Sequence, residues 1–230
     1  MPRLPRWLER EDRRARREAS RWSEWAKGLD EDELFEYVTG RTGGLGHGSE
    51  GFEIGKMALK GYLIAWPEEA EGYVLEVGTG LGRTAWATLE WGNPEVLVSV
   101  EVDPRMLAIA LHANPVPEFR EALLDERVKI VLGDAVRVVP RLPEGCFSHV
   151  IHDGGPCPSK NPRLFSRGFL GDLARRLEEG GTASVFAGRD PSWQDRIYST
   201  LKEFFIEVEA EKFPDTPTVV LRCRDRRASP

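Results

Sequence analysis

The densest chemistry in the chain lies in Glu76-Val-Gly-Thr-Gly-Leu-Gly82, which follows a short apolar run, Tyr73 to Val77, and precedes a helical pattern, Arg83 to Trp91. Glycines at 78, 80 and 82 let the backbone turn tightly and approach a ligand closely, with Thr79 between the first two. The helix that follows offers unpaired N–H groups at its first turn. A dinucleotide fingerprint sets its third glycine one position later and must accommodate a pyrophosphate, which the preceding acid, Glu76, would repel. Glu76 therefore predicts a ligand carrying positive charge.

About twenty residues further on, where a ribose-binding acid is expected, a second apolar run ends in Val98-Ser-Val-Glu-Val-Asp-Pro104. Glu101 is placed to accept hydrogen bonds from both ribose hydroxyls of a nucleoside, with Val102 and Met106 flanking the base. Asp103 suits a different task, capping the helix that begins at Pro104. Gly133-Asp134-Ala135 follows a third run, and Asp134 there either accepts a bond from an adenine amino group or makes a turn. His152-Asp153-Gly-Gly-Pro156 closes a fourth run at the sheet edge where open α/β sheets hold substrates. Asp153 or His152 can take a proton from an acceptor or orient it. His152 equally suits an inward-facing position satisfied by a backbone carbonyl. His47 and Glu50 are candidates to close over the ligand, and Cys157, without an obvious base, reads as a plain thiol.

Positioning these groups requires a scaffold, and the pattern supplies one. Strand-like runs at 73–77, 96–102, 128–132, 148–152 and 182–187 alternate with helical patterns at 83–91, 105–113, 167–178 and 193–204. That alternation predicts an α/β, Rossmann-like fold with a mostly parallel sheet and helices on both faces. Runs at 206–212 and 218–223, joined by Phe-Pro-Asp-Thr-Pro, predict a closing hairpin at the sheet edge. Ahead of this domain, 67–230, lies a helical N-terminal extension, 1–66. It comprises two helices within 7–38 broken near Gly28–Asp30, a loop at 40–51 with six glycines in twelve residues, and a helix from Glu53 to Trp66.

Composition narrows the function classes. A net charge of −6 excludes a uniformly basic nucleic-acid surface, although residues 1–21 carry eight arginines against four acids. That segment reads as a solvated helical arm with Glu/Arg pairs, the alternative being a phosphate-contacting arm. Three cysteines, Cys146, Cys157 and Cys223, lack the spacing of a zinc site, so no metal is expected. No apolar run is long enough to span a bilayer or serve as a signal peptide, which predicts a cytoplasmic protein without membrane partners.

The four motifs, in their order, resemble the successive signatures of class I S-adenosylmethionine-dependent methyltransferases. The resemblance covers residues 73–223. It implies a seven-stranded sheet with its last strand antiparallel. It also implies that Glu76, Gly78, Thr79, Gly80 and Gly82 hold the methionine part of S-adenosylmethionine. By the same comparison Glu101 and Val102 hold the ribose and base, Asp134 and Ala135 the adenine, and Asp153 lies near the transferred group. The stretch Gly133 to Gly188, with Asn161-Pro-Arg-Leu-Phe-Ser-Arg-Gly-Phe and Ser184-Val-Phe-Ala-Gly188, is similar to spermidine synthases and to archaeal methyltransferase-like proteins related to them. Aminopropyltransferases carry a second acid in an Asp-x-x-Asp-Pro motif after the fourth strand, whereas this chain has Asp153-Gly-Gly-Pro156. The resemblance therefore implies methyl transfer to a small molecule. The alternatives are an RNA or protein acceptor engaged by the basic arm, and aminopropyl transfer in the manner of the polyamine enzymes. Self-association is left open.

Overall fold

The computed structural model describes residues 4–42, 54–155, 157–214 and 216–227. Strands β1 (Glu71–Val77), β2 (Asn93–Glu101), β3 (Val128–Leu132), β4 (Phe147–His152), β5 (Leu177–Gly188), β6 (Phe205–Lys212) and β7 (Val219–Arg226) form one sheet in the order β3-β2-β1-β4-β5-β7-β6. The first five strands run parallel, and β7 is antiparallel to both β5 and β6. The closing hairpin lies at the sheet edge, as expected, and supplies the antiparallel last strand. Its final strand lies inside the sheet, because Val219, Val220, Leu221 and Cys223 are buried, while β6, alternating with Glu207, Glu209 and Glu211, takes the edge where charge is tolerated.

Around the sheet lie α1 (Trp7–Arg21), α2 (Ser23–Gly28), α3 (Glu31–Thr42), α4 (Ile54–Ala65), α5 (Arg83–Trp91), α6 (Pro104–His112), α7 (Pro117–Leu124), α8 (Ala135–Val138), α9 (Arg167–Arg176) and α10 (Pro191–Leu201). The segment expected to hold two helices holds three, since Trp22 leaves helical geometry (φ −102°, ψ 5°) between α1 and α2. The break near Asp30 is a reciprocal cap: Asp30 accepts from the Glu33 N–H at 2.8 Å, and Glu33 accepts from the Asp30 N–H at 3.1 Å. Residues 40–42 of the expected glycine loop belong to α3, and His47 and Glu50 lie outside the described residues. Helix α9 stops short of Glu178 because Leu177 pairs with Phe147 of β4. Helix α7, which the strand-helix alternation does not announce, starts on a proline and buries Phe119 and Leu123.

Helix α1 closes the other edge of the sheet. Asp12 accepts the Ile130 N–H at 3.0 Å, and Arg16 donates to the carbonyls of Leu123 at 3.1 Å and Val128 at 3.2 Å. Arg16 also pairs with Asp12 at 2.9 Å. An open strand edge invites pairing with other chains, and here side chains of the arginine-rich segment satisfy β3 instead. Leu8 of α1 joins the core on one face of the sheet, while Ala15 and Ala19 join the core on the other.

A second fastening sits beneath the glycine loop. Glu76 of β1 stands in register with Ser99 of β2, and its fully buried carboxylate accepts hydrogen bonds from the hydroxyls of Ser99 and of Thr84 in α5. Thr79 in the loop reaches the same Ser99 hydroxyl at 2.5 Å. Burial pushes the Glu76 carboxyl up to about 7; its two hydroxyl donors oppose the shift and the neighbouring Asp153 and Glu101 add to it. Glu76 thus ties β1, β2, the loop and α5 together from a buried position behind the loop.

Two stability measurements follow. Asp12→Ala strands the Ile130 amide and Arg16, and it should cost about 2–3 kcal/mol in urea unfolding with an unchanged m-value. A cost below about 0.5 kcal/mol, the usual range for a surface substitution, would show that α1 does not close β3. For Glu76 the folded-state pKa is raised, so the stabilisation is complete below the ordinary carboxylate range and is lost as pH rises through about 7. Melting temperature should therefore fall between roughly pH 5 and 8 more steeply in the wild type than in Glu76→Gln. By pH 8.5 the variant should be the more stable by on the order of 1–3 kcal/mol. Parallel pH profiles for the two proteins would contradict this placement.

Candidate active site

A cavity of about 550 Å³ opens at the carboxyl ends of β1 to β5, and α3, α4 and the β6–β7 hairpin complete its walls. That volume suits a nucleoside-sized ligand with room beside it. Of the residues singled out in the sequence, Gly78, Thr79, Gly80, Glu101, Val102, Met106, Asp134, Ala135 and Asp153 line it. Glu76, Gly82 and His152 do not.

The loop owes its shape to backbone constraints. Gly78 has φ +95°, and a Cβ there would lie 2.5 Å from the Asp153 carbonyl oxygen, so only glycine lets β1 and β4 deliver their ends side by side. Gly82, at φ +92°, serves packing instead, since a Cβ there would meet Leu123 at 2.7 Å and the Phe119 carbonyl at 2.9 Å. Helix α7 is therefore what requires the third glycine.

Glu101 is held by the loop it faces. One oxygen accepts the N–H groups of Val102 at 2.8 Å and Asp103 at 2.9 Å, and the other accepts that of Gly80 at 3.0 Å. Burial raises its pKa, with these three amides opposing. Three of roughly four lone-pair sites on the carboxylate are occupied, which leaves capacity for one ligand hydroxyl rather than two. Val102 is 67% exposed at the rim and Met106 is buried behind it, an apolar surface fit for the face of a planar base.

The flanking acids have local duties. Asp103 caps α6 through the Arg105 N–H at 2.9 Å, as expected, and also accepts from Tyr37 at 3.0 Å and Arg41 at 2.6 Å of α3. Burial works against its ionisation, but Arg41, the amide and Tyr37 outweigh that and lower its pKa. The Tyr37 hydroxyl is pushed up to about 12 by burial and by Asp103. Helix α3 is thereby clamped onto the cavity rim. Asp134 caps α8 through the Val136 N–H at 3.0 Å and pairs with Arg163 at 3.5 Å, so the turn role and a position on the cavity wall coincide.

Asp153 carries the least expected contact. Arg83, the first residue of α5, donates to its carboxylate at 2.8 Å, and both side chains are shielded, at 5% and 14% exposure. Burial raises the Asp153 pKa, and Arg83 opposes the shift. The Arg83 Nε is buried and has no hydrogen-bond partner among the described residues. Its place immediately after the third glycine was the available signal, a cation at the mouth of a ligand-binding loop.

His152 leaves the candidate catalytic set. Its ring is fully buried, stacked 4.6 Å from Phe165, with Nε2 donating to the Leu164 carbonyl at 2.8 Å and Nδ1 accepting the Gly154 N–H at 3.2 Å. Burial depresses its pKa to about 4, so it stays neutral and organises the segment after β4. His149 does a parallel job unseen in the sequence, joining Thr182 at 2.7 Å to the α4 carbonyl of Ala65 at 2.9 Å. Among the described residues no helix is long and apolar enough to cross a membrane.

A family model described as the spermine/spermidine synthase domain matches residues 65–219. An uncharacterised protein of Methanocaldococcus jannaschii is 34% identical over 115 residues, 50% of this chain and 38% of that protein. A polyamine aminopropyltransferase of Prochlorococcus marinus is 26% identical over 57% of this chain and 46% of its own. A putrescine N-methyltransferase of Nicotiana tabacum is 28% identical over 50% of this chain and 29% of its own. The chain thus matches less than half the length of each of these curated relatives. Spermidine synthase from Thermotoga maritima has the same fold, with a TM-score of 0.59 at 19% identity over 71% of this chain and 56% of that one. A sheet of this order, a glycine loop facing an acid at the end of β2 and a matched domain spanning β1 to the start of β7 lead to one assignment: the chain belongs to the spermine/spermidine synthase family, whose fold is that of the class I methyltransferases.

Proposed function

We propose that this protein is an S-adenosylmethionine-dependent methyltransferase acting on a small molecule. The observation that carries this reading is the buried Arg83–Asp153 pair at the glycine-loop end of the cavity. The methionine end of S-adenosylmethionine is a zwitterion, and a cation and an anion side by side complement it. Arg83 lines the cavity and has guanidinium donors beyond the one that Asp153 takes up, and a carboxylate is their natural acceptor. Decarboxylated S-adenosylmethionine, the aminopropyl donor, has only an ammonium to offer there and leaves Arg83 with Asp153 alone.

The remaining residues fit the rest of the molecule. Gly78 and Gly80 permit close approach of the backbone, Glu101 accepts a ribose hydroxyl, Val102 and Met106 cover the base, and Asp134 with Ala135 borders it. Bound there, the sulfonium supplies an activated methyl group, which an acceptor lone pair receives as the carbon–sulfur bond breaks and its electrons return to sulfur. Such transfer depends chiefly on alignment. Asp153, whose pKa burial raises against the opposing Arg83, orients the acceptor or takes its proton.

Aminopropyl transfer to a polyamine is the second reading, and the Prochlorococcus relative favours it. The putrescine N-methyltransferase relative is named for methyl transfer, so methyl chemistry is represented among the chain's relatives as well. A macromolecular acceptor engaged through the basic arm has less support, because no α1 residue lines the cavity and Arg16 is committed to β3. Deleting residues 1–21 would therefore test folding before it tested substrate choice.

Calorimetric titration decides between the first two readings. The wild type should bind S-adenosylmethionine about 10–100-fold more tightly than the decarboxylated form, the worth of a charge-assisted hydrogen bond. Arg83→Gln should bring the ratio near one; a general loss of affinity from leaving Asp153 unpaired cancels in that ratio. Preference of the wild type for the decarboxylated form would replace methyl with aminopropyl transfer, and failure of both to bind would end both readings.

A further inference from the structure

Helix α1 spends one face on the sheet and presents the other to solvent. Leu8, Asp12, Ala15 and Ala19 are buried, whereas Arg10, Arg13, Arg14, Arg17 and Arg21 are exposed, as is Arg6, which precedes the helix in helical geometry. At about 3.6 residues per turn these six arginines fall within an arc of about 100°, and at about 1.5 Å per residue they run for roughly 22 Å. The side chains of Arg10, Arg14 and Arg21 are 70%, 73% and 76% exposed, so the row stands open. The acids of α1 lie to either side of it. Glu9 pairs with Lys129 of β3 at 3.1 Å, and Asp12 is committed to Arg16 and the Ile130 amide. Glu11 pairs with Arg10 at 3.7 Å and Arg14 at 3.4 Å, and Glu18 with Arg21 at 2.6 Å. Exposed pairs of this kind contribute little and give way to a competing phosphate. Arg6, Arg13 and Arg17 form no ion pair within the described structure.

The residues between the arginines decide what kind of partner such a row can hold. A protein interface buries aromatic and apolar side chains at its centre, where charged residues are depleted. A bilayer takes up a surface helix through its apolar face. Here the apolar face is already packed on the sheet, and the exposed residues of α1 include no apolar side chain. Stacking on unpaired bases needs aromatic rings, and the exposed face offers none of those either. The repeating anion of a paired nucleic-acid backbone needs only cations, and the planar guanidinium matches a phosphate through two parallel hydrogen bonds. We infer that the outer face of α1 docks the phosphate backbone of a nucleic-acid duplex, without sequence preference. The net charge of −6 gives a polyanion no general attraction to the chain, so binding depends on this row. Docking there does not make the nucleic acid the methyl acceptor, because no α1 residue lines the cavity. The inference is independent of the methyltransferase reading.

The test is fluorescence anisotropy of the full chain with labelled, mixed-sequence duplexes of RNA and of DNA, about 20 base pairs long, as salt is raised from about 50 to 200 mM. Arg10→Gln/Arg13→Gln/Arg17→Gln removes the middle of the row. Arg167→Gln/Arg196→Gln/Lys212→Gln makes the same change of charge at exposed positions on α9, α10 and β6. Thermal melts confirm that both variants fold. The wild type is expected to bind with a log–log salt slope of about −3 to −5, and the α1 variant to bind at least about tenfold more weakly with a slope shallower by about 2 to 3. The second variant should match the wild type. No binding of either duplex at the lower salt overturns the inference, as does an α1 variant that binds like the wild type or an equal loss in the second variant. Polyglutamate and phosphatidylglycerol vesicles are titrated alongside, and tighter binding of either than of the duplexes overturns it in favour of an acidic protein or a membrane.

Discussion

A carboxylate buried between two hydroxyls governs how this site is built. Glu76 accepts from Ser99 on the neighbouring strand and from Thr84 on the helix that follows the glycine loop, and Thr79 of the loop shares the Ser99 hydroxyl. Strand, loop and helix are thereby fixed to one point, and every ligand-facing group is measured from it. Arg83 precedes Thr84 directly, so the bond that anchors Thr84 also sets where the guanidinium stands, against Asp153. Gly80 in the same loop donates to Glu101. A buried carboxyl with a pKa near 7 is costly to ionise, and its hydroxyl partners give a reason for retaining it: it specifies one arrangement of three elements.

The same constraint explains what the sequence does and does not disclose. Strand and helix positions were legible because apolar periodicity reports burial directly, and the mostly parallel sheet follows from the βα alternation. The glycine loop, Glu101 and Asp153 were legible as positions at strand ends. Direction was harder. An acid ahead of a glycine loop reads as a ligand contact, but strand alternation turns Glu76 inward, where Ser99 and Thr84 occupy it. His152 lies in an equally buried register position with both ring nitrogens used. Gly82 answers to α7, a contact that no local pattern records. Arg83 and Lys160 are ordinary surface types in sequence; only the fold shows one paired with Asp153 and the other on the cavity wall.

The N-terminal arginines show what packing adds to composition. Eight arginines in 21 residues read as a solvated helical arm with Glu/Arg pairs, and beyond that Arg16 and Asp12 supply hydrogen bonds to the edge strand β3. Arg14 and Arg21 pair within their own helix. Further along, α3 brings Tyr37 and Arg41 to Asp103, so the helices ahead of the sheet take part in the wall of the site.

Family membership and local chemistry thus bear on different questions. The family sets the fold, whereas the proposed choice of a methyl over an aminopropyl donor rests on the Arg83–Asp153 pair in the cavity. A crystal structure of the complex with S-adenosylhomocysteine examines that distinction most directly. The account predicts the amino-acid carboxylate within hydrogen-bonding distance of Arg83 and a ribose hydroxyl on Glu101. An amino-acid end turned away from Arg83, with the guanidinium still serving Asp153 alone, would contradict it.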